Sequence, residues 1–219
     1  MPQTMDRREL RAARRADASG SGPTLAERAP ARFPGATGAF ALFGEVLLTG
    51  VLVAAGSLAV ITLPAALAAG IRHLRRYVNA EASHARTFWQ DYRRALPGGL
   101  VVGMVGAVLA LVLVLDIDLA GSGALPGGPA VAVVGWTGLV ACAVALLVAA
   151  GSWTPERGWR TAVRGIPSAV AGDPIGAVYL AAAAVLAGVV TWMLIPLIIA
   201  GLGCAAFAVV AVPARRGRR

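Results

Sequence analysis

The sequence has no lysine; all 20 of its basic residues are arginine. Charge of either sign is scarce, at 14% of residues, where an ordinary soluble domain carries about a quarter. Aromatic residues make up only 6%, and segments of about ten alternating residues are missing, which excludes spanning by β-strands. Cys142 and Cys204 are the two cysteines. Both fall inside apolar blocks without a partner at metal-ligand spacing, so both read as packed thiols. Catalytic signatures are missing too: there is no Walker-type loop, no HExxH, no G-x-S-x-G and no CxxC pair. No catalytic, cofactor-binding or metal-ligating residue is assigned, and the chain is not expected to be an enzyme.

What is present is apolar. Hydrophobic residues make up 58% of the 219, gathered into nearly charge-free blocks of about 20 or more, long enough to cross a bilayer as helices. The expected fold is therefore all-α, a polytopic membrane bundle of about five transmembrane helices with short interfacial helices. Ala, Gly and Val are abundant, which with Arg in place of Lys suggests a GC-rich bacterial genome and a multi-pass protein of the bacterial cell membrane. The net charge of +9 does not point to nucleic acid. The arginines sit in short clusters beside apolar spans, where headgroup attraction and control of orientation account for them.

Residues 1–37 are rich in Arg, Ala, Gly, Ser and Pro without an apolar run, and are expected to form a disordered tail. The transmembrane domain is expected over 38–213, followed by a basic cytoplasmic tail at 214–219. Its first apolar block, Phe40 to Ile71, would be about 48 Å long as a helix. That is too long for one simple span and too short for two. Pro64 is the natural break, giving a span over about 40–62 and a continuation to Tyr77. Phe88, Trp89, Tyr92 and Leu96 then share one face of a short amphipathic helix over 87–97. Further spans are expected at about 98–115, 130–150, 175–194 and 197–212. The last two turn near Pro196 or near Gly201 and Gly203.

Counting arginines gives the orientation. The connector at 72–96 holds six, the connector at 152–174 three and the C-terminal tail four, whereas the 116–129 loop and the 196–203 turn hold none. The positive-inside rule makes the arginine side, with the C-terminus, cytoplasmic. Five spans then put the N-terminal tail outside, although it carries seven Arg against four acidic residues. Either that tail is translocated, or the first block is a re-entrant hairpin that keeps both ends inside. The arginines elsewhere favour translocation.

Few residues invite a functional assignment. Glu45 is the one ionisable group within a span, about one turn inside it. His73 and His84 read as solvated, and Asp116 and Asp118 as terminators of a span. Gly99, Gly103, Gly135 and Gly138 are expected to pack spans two and three together. Trp89, Arg94, Leu96 and Pro97 have the spacing of Trp159, Arg164, Ile166 and Pro167. This echo is either a parallel duplication or the ordinary recurrence of Trp, Arg and Pro at interfaces. The residues marked for a functional or partner-binding role are Glu45, Pro64, Arg75, Arg76, Trp89, Arg94, Trp159 and Arg164.

The order of these features resembles a known family. The run Ser57-Leu58-Ala59-Val60-Ile61-Thr62-Leu63-Pro64 ends the first span. The small-residue run 65–70 and basic Arg72 to Arg76 follow, then the aromatic-basic helix Phe88 to Leu96 and a glycine-rich span. This resembles the YesL-like family of bacterial integral membrane proteins, a domain of unknown function, over roughly 40–212 and most specifically over 57–115. The resemblance implies an accessory or scaffold component associated with carbohydrate uptake, because members are often encoded beside carbohydrate transporters and glycoside hydrolases. It carries no catalytic residues with it. Expected partners are the lipid bilayer, a carbohydrate transporter or other membrane protein, and a second copy of the chain; no cofactor is implied. The alternative is a small permease or transporter subunit. A membrane enzyme would need His73, Arg75, Arg76, Asp91 and Arg94 gathered at the cytoplasmic face.

Overall fold

Eight α-helices and two short 3-10 turns account for nearly all of the computed structural model, which describes residues 38–123 and 127–214. The expectations for the tail at 1–37 and for the last five residues lie outside the described residues. The helices are α1 (Ala39–Gly56), α2 (Leu63–Val78), α3 (Ala85–Gly121), α4 (Gly128–Ser152), α5 (Gly158–Arg164), α6 (Ile166–Gly172), α7 (Pro174–Met193) and α8 (Ile198–Ala214). Five segments are long and apolar enough to cross a membrane: α1, α3, α4, α7 and the stretch Ile195–Ala214 that includes α8. The chain is an all-α, multi-pass membrane bundle.

The first block turns earlier than Pro64. α1 ends at Gly56, a 3-10 turn covers Val60–Thr62, and Pro64 sits in the first turn of α2, where its missing N–H costs nothing and its fixed φ suits the helix. The end of a helix leaves carbonyls without intrahelical partners, which is costly away from water. The Gly56 carbonyl is satisfied twice, by the hydroxyls of Thr62 and Tyr92, each at 2.8 Å. At the far end of α2, Ala80 adopts a left-handed φ of 59°. The Glu81 N–H donates to the Arg76 carbonyl and the Ala80 N–H to the Tyr77 carbonyl, the bond pattern of a Schellman cap.

α2 is the centre of the bundle. Pro64 to Ile71 are all buried, as are His73, Leu74 and Val78. The small residues at 65–70 let neighbouring backbones approach it closely. On one side Val53 and Thr49 of α1 pack against Gly70; on the other, Ala65 meets Gly99 of α3. α1 and α2 run antiparallel, with Gly56 beside Ala66 and Glu45 beside His73. α1 is also antiparallel to α8, for Gly50 lies against the Ile199 carbonyl and Gly203 against the Val46 carbonyl. α8 in turn meets α4 where Val209 packs on Gly151.

These contacts fix the ends of the bundle. The start of α1, the end of α2, the start of α3, the end of α4 and the end of α8 all lie at one end, which also holds α5 and α6. The opposite end carries the turns after α3 and α7. The first block is thus a hairpin, the arrangement that the arginine count had made the less favoured of two. The reason lies in the polar closure of the Ser57–Thr62 turn, which hydropathy does not register.

Two further boundaries differ from the sequence reading. α3 is one helix of 37 residues running through Pro97, so the amphipathic segment and the second span are continuous. At 1.5 Å per residue it is about 55 Å long, well beyond a hydrocarbon core of about 30 Å. Its N-terminal third therefore stands outside the apolar layer. The glycines also divide their work. Gly135 and Gly138 do pack α4 on Ile117 and Leu113 of α3, whereas Gly103 faces the Ile61 carbonyl and Gly99 faces α2.

Candidate functional site

Five ionisable residues, Glu45, Arg72, His73, Arg76 and Asp91, pair where α2 leaves the core. Arg72 and Arg76 are four residues apart, hence on one face of α2, and both reach Asp91 on α3. The Arg72 Nε donates to Asp91 Oδ2 at 3.2 Å and the Arg76 Nη2 donates to the same oxygen. The Asp91 side chain is 4% exposed, so neither partner is interchangeable with water. Arg72 also lies over the Trp153 ring, 5.9 Å from its centroid, which places a cation on an aromatic face.

The neighbouring pair is Glu45 and His73. Glu45 Oε1 lies 2.7 Å from His73 Nε2, and the imidazole is fully buried. The edge of His73 meets Phe88, with ring centroids 6.5 Å apart. A neutral imidazole that donates from Nε2 leaves Nδ1 as a bare lone pair. That atom has no hydrogen-bond partner among the described residues, and an imidazolium would strand an N–H there at greater cost. His73 is therefore a core residue rather than a solvated one. Its neighbours Arg72, Arg75 and Arg76 point to water in the sequence, and the partner that buries it, Glu45, lies 28 positions away on α1.

The marked residues do not form one site. Glu45 and Arg76 join the two buried pairs, and Arg75 faces the other way, towards Gly151 of α4. Pro64 begins α2. Trp89, Arg94 and Arg164 are exposed, whereas Trp159 is buried and donates its Nε1–H to the Ala95 carbonyl at 2.8 Å. The two tryptophans of the sequence echo thus occupy unlike environments. The prolines differ as well: Pro97 lies inside α3 and Pro167 in the first turn of α6.

Two cavities flank α2. One, of about 560 Å³, runs between α3 and α4 beneath Val163 and Ile166, with apolar walls throughout apart from the thiol of Cys142. The other, of about 270 Å³, lies at the arginine end between α2, α4, α7 and α8 and is entered by Arg75. Among the described residues no cluster of His, Cys, Asp and Glu has the makings of a metal centre. Compared with family models, curated proteins and solved structures, the chain matches none of them.

Proposed function

We propose that this chain is a non-catalytic component of a bacterial cell membrane, an accessory or scaffold subunit associated with carbohydrate uptake, with its arginine end and C-terminus in the cytoplasm. The observation that carries the proposal is the pairing of the buried ionisable groups. Asp91 is held by Arg72 and Arg76, and Glu45 by His73, so these groups serve the bundle and are not free for a substrate. Arg94, which a catalytic cluster would have required alongside them, is exposed on α3. The positive-inside rule supports the orientation. The YesL-like arrangement of residues 57–115 supports the association with sugar uptake.

A second reading is a small permease. The cavity beside α3 and α4 is the feature that favours it, but its walls offer a sugar no hydrogen-bonding groups beyond Cys142, and a hydroxyl-rich solute needs them. This supports the accessory reading over the permease. The test is purification in mild detergent from native membranes. Recovery together with subunits of a carbohydrate transporter is expected. Consistent recovery of the chain alone, with sugar flux in proteoliposomes, would replace the first reading with the second.

A further inference from the structure

We infer that Arg75 and the cavity beside it bind the phosphodiester of a membrane lipid headgroup. Arg75 differs from its two neighbours on α2. Arg72 and Arg76 share Asp91, while Arg75 is half-buried and has neither a carboxylate nor a hydrogen-bond acceptor among the described residues. Its guanidinium passes 3.7 Å from where a side chain on Gly151 would begin. The missing side chain leaves the group open to the cavity.

An unpaired half-buried cation is costly unless an anion completes it. A guanidinium favours phosphate oxygens, which it can bind through two parallel N–H donors. The cavity lies at the arginine end, where spans α4, α7 and α8 begin or finish and headgroups reside. Its other walls are largely apolar, Val148, Leu180, Val209 and Val212 among them, and suit the glycerol and upper chain of a lipid. About 270 Å³ falls below the roughly 300–1,000 Å³ of sites that enclose a whole small ligand, so a headgroup fits and a complete lipid does not.

Asp173 lines the same cavity, where its Oδ1 accepts from the Gly176 N–H at 2.8 Å and so caps α7. Ser152, also on the wall, gives its hydroxyl proton to the Val148 carbonyl, so Arg75 is the donor available to the ligand.

The test uses the full chain in detergent micelles doped with phosphatidylglycerol or with diacylglycerol of the same chains, read by native mass spectrometry. One phosphatidylglycerol is expected to be retained, and no diacylglycerol. Loss of one charge-assisted contact predicts about tenfold weaker retention in Arg75→Gln, with Arg157→Gln, on the exposed connector, unchanged. Equal retention of the two lipids by the wild-type chain overturns the inference without any variant. So does full retention by Arg75→Gln. Displacement of the lipid by millimolar inorganic phosphate would overturn the lipid assignment in favour of a free-phosphate site.

Discussion

Glu45 and His73 are 28 positions apart in the chain and meet at 2.7 Å across the α1–α2 hairpin. The contact joins the acidic group of α1 to a histidine that sequence alone places in solvent.

The bond between them is testable. His73→Leu leaves the Glu45 carboxylate without this partner at a contact where the histidine is fully buried, and a loss of about 1–3 kcal/mol is expected. Thermal unfolding in detergent checks it, and an unchanged midpoint would remove the pair from the hairpin's stabilising contacts.

Asp91 carries a larger load than its single charge suggests. Asp91→Asn would leave Arg72 and Arg76 facing each other without a counter-ion. Removing one partner of a fully buried pair costs about 3–5 kcal/mol. The two guanidiniums keep 26% and 17% of their side-chain exposure, so solvent screening reduces the expected loss to about 1–3 kcal/mol. Thermal unfolding of Asp91→Asn beside Glu156→Gln, an exposed acid on the connector, checks this. A variant as stable as the control would refute this role for Asp91.

The two tryptophans of the sequence echo give a third comparison. Trp159→Phe removes the bond to the Ala95 carbonyl within a buried contact, and a loss of about 1 kcal/mol is expected. Trp89→Phe, at an exposed ring, is expected to change stability by less than about 0.5 kcal/mol. Equal losses would restore the case for equivalent positions in a duplicated unit.

The fold class was legible because bilayer physics writes itself into composition. Blocks such as Ile175–Val212 carry no charge, and nothing but a helix satisfies their backbone away from water. The hairpin was not legible, since its turn is closed by Thr62 and Tyr92 hydroxyls that reach Gly56 from six and 36 residues away. The continuity of α3 was hidden by Pro97, whose local rule is to break a helix. The candidate site was half legible. Glu45 was singled out because a lone carboxylate in an apolar run needs a reason, but its partner lay beyond helical spacing on the next helix.

The hairpin makes a topological prediction that separates the two placements of the N-terminal end. Five alternating spans put residue 38 and residue 168 on opposite sides, whereas the antiparallel contacts of α1 with α2 and α8 put both at the arginine end. Single cysteines at Gly38, Ser122 and Ser168, introduced after Cys142→Ala and Cys204→Ala, report this through a membrane-impermeant thiol reagent. All three positions are exposed. In spheroplasts only Ser122→Cys is expected to label, and in inverted vesicles only the other two. The Gly103 contact supports the same hairpin from inside. A side chain there would collide with the Ile61 carbonyl, whereas Gly106, one turn away, faces open space. Gly103→Val should therefore destabilise by about 1–3 kcal/mol through overpacking, and Gly106→Val should not. Labelling of Gly38→Cys from the outside would break the hairpin arrangement whatever the glycine variants did.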